Sequence, residues 1–201
     1  MAKARSSRRG GAKGQKKEHV IKETKQLSAA ASPVRVQILD VMGAVGDCSA
    51  ADLAEHMDRP VQSLYYHLKK LESVKLIEEA GSRGEGVRRE ALYRPVASSI
   101  NAAPNSSARG YDNALAKGAG ATLRLANREY VAGLDTKGVK RAGTTRELGI
   151  RRRVARLTPD KAQKLNGMLD RLDDFLKKNA TGDGQLYGVT TVLSPVTGID
   201  E

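Results

Sequence analysis

A chain of 201 residues that is 39% hydrophobic and 3% aromatic can fill one domain or two small ones, with a core of Leu, Val, Ile and Ala. It has no run of about 18 apolar residues, and its basic start lacks the apolar stretch of a secretory signal, so neither a membrane span nor export is expected. Cys48 is the only cysteine, which rules out an intrachain disulfide and points to a reducing compartment, the cytoplasm.

The net charge of +12 invites a nucleic-acid partner, but its distribution is uneven. Residues 1–25 carry nine Lys/Arg against two Asp/Glu, and residues 98–201 carry seventeen against eleven. Residues 26–97 carry nine against ten, so that middle segment is nearly neutral. Any contact with nucleic acid there must rest on local clustering.

Residues 1–17 offer almost nothing to bury and are expected to be a disordered basic arm, serving either to hold phosphates or to keep the protein soluble. Over residues 18–31, Val20, Ile21, Thr24, Leu27 and Ala31 suit a short amphipathic helix. Ser32 and Pro33 then stand at the N-cap and first position of a second helix, which carries Val34, Ile38, Val41, Met42 and Val45 and stops between Gly43 and Gly46. Ser49 and Asp52 match a capping box with Asp in the place of Glu, opening a helix of about two turns through Leu53 and Met57.

Asp58, Arg59 and Pro60 connect that helix to the next. Over residues 59–71, at about 100° per residue, Val61, Leu64, Leu68 and Leu71 share one face. Gln62, Ser63, Tyr66, Lys69 and Lys70 share the other, which has amide, hydroxyl, phenol and ammonium groups and no carboxylate. Such a face suits base edges and phosphates. Two short helices joined by so tight a turn form a helix-turn-helix. Gln62, Ser63 and Tyr66 are the candidate base readers, with Arg59, Lys69 and Lys70 for phosphates. Tyr65, Tyr66 and His67 could instead be partly buried beneath the wing, and His67, about 60° from the centre of the apolar face, is expected to pack or touch a phosphate and not to read a base.

Residues 76–80 read as a strand, 81–86 as a glycine-rich hairpin tip, and 87–96 as the returning strand that Pro95 ends. Arg83, Arg88 and Arg89 fall near the tip, where they could reach the backbone or the minor groove. A hairpin directly after a recognition helix makes a winged helix-turn-helix.

These residues carry a resemblance. Residues 32–39, 51–54 and 62–71, with the hairpin after Leu76 and Ile77, are similar in order and spacing to the winged helix-turn-helix of ArsR-type transcriptional regulators. The similarity covers residues 30–97 and implies a dimeric repressor or activator that reads a nearly palindromic operator in double-stranded DNA. Metal-sensing members carry a Cys-x-Cys pair just before the Asp-Leu of the helix preceding the recognition helix. Here those positions hold Ser49 and Ala51, and Cys48 stands alone. One soft ligand cannot build a thiolate site, and His19, His56 and His67 are scattered, so no metal or cofactor is expected.

Residues 98–110 read as a linker. From 111 to 134, Leu115, Ala119, Leu123, Ala126, Tyr130 and Leu134 recur at helical steps and are expected either to dimerise, as a helix after the wing does in the resembled family, or to pack within the subunit. Residues 147–157 read as a strand whose Arg151, Arg152 and Arg153 are a second phosphate patch or a solvated edge. Thr158 and Pro159 open a strong helix with a stripe of Ala162, Leu165, Met168, Leu169, Leu172, Phe175 and Leu176. Residues 186–193 read as a closing strand.

The expected class is therefore α+β. A winged helix-turn-helix over 18–97 is followed by a linker over 98–110, and residues 111–201 form a helical dimerisation segment and a small α+β domain that could take a small-molecule effector. No catalytic constellation stands out: Asp173 and Asp174, like Glu78 and Glu79, are adjacent pairs aimed to different sides. The function expected is that of a sequence-specific regulator in the nucleoid, not an enzyme. The alternative is a winged helix used as a protein-interaction module.

Overall fold

Leu53, Leu64 and Leu71 are completely buried, and around them the helix-turn-helix assembles. The computed structural model describes residues 18–103, 106–180 and 184–196. The arm expected over residues 1–17 lies outside them.

Helix α2 (Pro33–Val45) starts with proline in its first turn and ends at Gly46, whose φ of 89° is a left-handed conformation that glycine adopts without strain. It buries Ile38, Val41 and Met42. Helix α3 (Ala50–Met57) begins with the expected capping box: Ser49 Oγ accepts from the Asp52 amide at 3.2 Å, and the Ser49 amide donates to Asp52 Oδ2 at 2.9 Å. Asp58, in the left-handed region, turns the chain into α4 (Val61–Ser73). Strands β2 (Ile77–Arg83) and β3 (Glu90–Pro95) form an antiparallel hairpin with a register shift between Glu79 and Gly81. Cys48 adds a bridge to Tyr93, exchanging both backbone hydrogen bonds at 3.1 and 2.9 Å, so the start of α3 is stitched to the wing.

The wing departs in detail from expectation. β2 continues to Arg83, and a 3-10 turn at Gly86–Arg88 precedes β3, so the tip lies later than residues 81–86. Gly84, at φ 82°, fits because a Cβ there would collide with the Arg88 carbonyl oxygen.

Two other expectations are corrected. Residues 18–31 do not form one helix: His19–Ile21 is a strand (β1), and only Thr24–Ala30 is helical (α1). The supposed linker over 98–110 contains β4 (Ile100–Ala102), which pairs with β1 in parallel, His19 opposite Ile100. Tyr111 explains the arrangement. Its buried hydroxyl donates to the Ile21 carbonyl and accepts from the Ala103 amide, both at 2.7 Å, joining the ends of the two strands.

Tyr111 is also the first residue of α5 (Tyr111–Asp135). Here two faces must be told apart. Tyr111, Ala114, Ala121 and Leu125 are buried, whereas Leu115, Leu123 and Leu134 from the stripe read in the sequence are 40%, 49% and 38% exposed. The chain forms two units, one ending at Leu125 and one beginning at Ala126.

The second unit contains the rest of α5 and α6 (Pro159–Asn179), the helix expected after Thr158. The strands expected over 147–157 and 186–193 are not formed: neither stretch joins a ladder among the described residues, and apart from the half-buried Glu147 and Leu148 both are exposed. A strand exists by virtue of its hydrogen-bonded neighbour, so β propensity alone was insufficient. No described residue beyond Leu125 is buried. No described helix is long and apolar enough to cross a membrane.

Candidate nucleic-acid interface

Helix α4 separates its two faces cleanly. Leu64, Leu68 and Leu71 are buried and Val61 packs against the same core, while Gln62, Ser63, Tyr65, Tyr66, Lys69 and Lys70 are exposed. The two tyrosines are the largest apolar surfaces on the helix, Tyr66 being 67% exposed. The Ser63 hydroxyl donates to the Pro60 carbonyl at 2.7 Å, closing the first turn and leaving its oxygen free to accept. Arg59, half-buried, precedes this turn, and its amide donates to the Ala54 carbonyl at 3.0 Å.

His67 occupies a different environment. It is half-buried, and Arg35 Nη1 lies 3.4 Å from its Nδ1, so Nδ1 is the acceptor and the ring proton sits on Nε2. Burial, then the charges of Arg35 and Arg59, lower its pKa and keep the ring neutral. The Tyr66 ring meets it edge-on with centroids 5.3 Å apart. Arg35 also donates through Nε to the Ala29 carbonyl, linking the end of α1 to the recognition helix.

The three wing arginines divide into two kinds. Arg83 is engaged with its own protein, 2.9 Å from Asp52 and 3.0 Å from Glu90, and within 3.4 Å of Ser49 Oγ. Burial pushes the Asp52 carboxyl up, but hydrogen bonds from Arg83 and the Ser49 amide outweigh it and hold it below its usual range. The capping box of α3 and the loop end of the wing are thus one electrostatic unit. Arg88 and Arg89 are exposed at the tip, Arg89 donating to Ser82 Oγ at 3.0 Å.

Sequence reasoning missed three of these roles. Arg35 braces the recognition helix through His67, and Arg83 locks wing to cap. Arg94, 2.7 Å from Asp47, ties β3 to the turn before α3. Each joins residues distant in sequence, and periodicity carries no trace of such pairs. Cys48 is buried and its thiol is pushed up to about 12, first by burial and then by Asp52 and Asp47, so it packs as an uncharged side chain. Among the described residues no group of three or more His, Cys, Asp or Glu side chains could hold a metal ion.

Residues 30–80 match a family model described as a helix-turn-helix domain. The match spans α2, α3, α4 and the first residues of β2, about a quarter of the chain, and it does not single out the ArsR branch. No curated protein matches the chain. The helix-turn-helix assignment points to a DNA-binding regulator.

Proposed function

We propose that this chain is a sequence-specific transcriptional regulator of ArsR type that binds operator DNA as a homodimer in the cytoplasm, at the nucleoid. One observation carries the reading: the outer face of α4 exposes Gln62, Ser63, Tyr66, Lys69 and Lys70 within a matched helix-turn-helix and has no carboxylate among them. In this reading α4 enters the major groove. Gln62 and Tyr66 contact base edges with Ser63 as an acceptor, and Lys69, Lys70 and Arg59 hold phosphates. Tyr65 lines the groove wall, while His67 positions the helix through Arg35.

The wing lies along the backbone or minor groove through Arg88 and Arg89. Arg83 orients the wing and can turn to a phosphate only by giving up Asp52 and Glu90. The exposed stripe of α5, with Leu115 and Leu123, supplies a surface for the second subunit, which places two recognition helices on adjacent half-sites.

Fluorescence anisotropy on a fragment selected from a random DNA pool tests this reading. Replacing Gln62 and Tyr66 together with Ala should lower the preference for the selected site over random DNA by roughly 10- to 100-fold. Far-ultraviolet circular dichroism should stay unchanged. A pool that yields no preferred sequence at moderate salt is the result that defeats the proposal.

A further inference from the structure

The excess positive charge of the second half of the chain is gathered into one segment. Residues 137–156 carry eight Lys/Arg against Glu147 alone, whereas the rest of 98–201 carries nine against ten. All eight of these cations are exposed. In α6 the cations are answered locally, Lys177 pairing with Asp173 and Lys178 with Asp174. From Lys137 to Arg153, by contrast, no cation stands in a salt bridge among the described residues.

The first part of the segment is held in place. Arg141 donates through Nη2 to the Leu134 carbonyl in the last turn of α5, one of the acceptors that a helix end leaves without a partner. Lys140 and Glu147 close the loop between them: the Lys140 amide donates to Glu147 Oε2 at 2.9 Å, and the Glu147 amide donates to the Lys140 carbonyl at 2.7 Å. The one carboxylate of the segment is therefore turned onto backbone. Leu148 lies so near Gly133 that a Cβ there would stand 2.9 Å from its Cδ1. Arg151, Arg152, Arg153 and Arg156 follow directly from this anchored loop.

Two explanations compete for such a run. A strand can carry arginine to keep other edges away, but no strand forms over 147–157, so there is no edge to guard. A polyanion can relieve the mutual repulsion of the cations and release its own counterions. The helix-turn-helix selects the polyanion. Duplex DNA brings a continuous row of phosphates past α4, and residues 26–97, with nine Lys/Arg against ten Asp/Glu, answer few of them.

We propose that residues 137–156 form a second, sequence-independent DNA contact, in which Arg151, Arg152 and Arg153 hold phosphates of the duplex flanking the site that α4 reads. The contact rests on the reading of this chain as a DNA-binding protein. It supplies affinity that the nearly neutral winged domain lacks and carries no base preference of its own.

Fluorescence anisotropy on the full chain at several salt concentrations tests it, with a selected fragment and a random duplex of equal length. Replacing Arg151, Arg152 and Arg153 together with Gln should reduce the slope of log affinity against log salt by about 2–3 on both duplexes and leave the preference between them intact. Lys177→Gln combined with Lys178→Gln, which removes two cations that already have partners, should leave the slope unchanged. Extending the selected fragment by one helical turn on each side, about 10 base pairs, should tighten binding of the wild type and not of the triple variant. An unchanged slope in the triple variant, or an equal fall in both variants, overturns this contact while site preference, and with it the regulator reading, survives. A pool without a preferred sequence defeats the regulator reading, and a slope that still falls on random duplex upholds this contact by itself. Wild-type binding to single-stranded RNA or to phosphatidylserine vesicles that is tighter than to duplex, and lost in the triple variant, overturns it in favour of that partner.

Discussion

Asp52 serves both the cap of α3 and, through Arg83, the loop end of the wing, so a single substitution there has two consequences. Asp52→Ala should remove the reciprocal cap and leave Arg83 with Glu90 alone, lowering stability by about 1–2 kcal/mol in urea unfolding. Acid should act on the same site. The carboxyl is held below its ordinary value when folded, so its contribution is complete at neutral pH and is lost as the pH falls through the folded value, below about 4. His67 is likewise depressed. The unfolded chain binds its proton more readily, so stability should decline as pH drops below about 6.5. His67→Gln should flatten that part of the profile, which thermal melts at several pH values would reveal. The cap was legible in the sequence because Ser49 and Asp52 are three residues apart. The Arg83 and Arg35 contacts were not, because they span 31 and 32 residues.

Among the elements, the sequence disclosed what depends on local period. The four helices α2, α3, α4 and α6 lie where apolar spacing, prolines and caps put them; three build the winged domain, and the stripe of α6 is half-buried at Leu165 and Leu169 but exposed at Met168 and Phe175. The parallel pair β1 and β4 escaped notice because its strands are three residues each and some 80 residues apart, too short for alternation to register. On α5 both faces repeat at helical steps, and the period could not say which one would be buried. Tyr111→Phe should cost about 1–3 kcal/mol, since the Ala103 amide and Ile21 carbonyl lose a buried partner. Urea unfolding followed by amide exchange in β1 and β4 would locate the damage. Gly84→Ala should loosen the wing, read as faster exchange in β2 and β3 with α4 unaffected.

For the molecule as a whole, the net charge of +12 belongs mainly to the sequence outside the winged domain, which is nearly neutral. Affinity for DNA in the proposed regulator therefore draws on few cations in that domain, and each should be visible. Replacing Arg88 and Arg89 with Ala should reduce the slope of log affinity against log salt by about 2 while leaving site preference intact. A titration series at several salt concentrations measures both quantities at once. The candidate interface was readable in the sequence because a helix that faces a core on one side must expose its other side. The state of the C-terminal half was not, since neither a stripe nor an alternating run names the surface that will cover it.

Tyr111 gives α5 a particular mechanical character. Its hydroxyl holds peptide groups of two strands at once, and β1 leads directly into α1, whose Gln26 donates to the Val74 carbonyl at the end of α4 at 2.9 Å. The root of α5 is therefore a fixed bearing and not a swivel. If α5 seats the second subunit and α4 faces DNA, as proposed, these hydrogen bonds form a continuous link between the two surfaces, from the root of α5 through α1 to the end of α4.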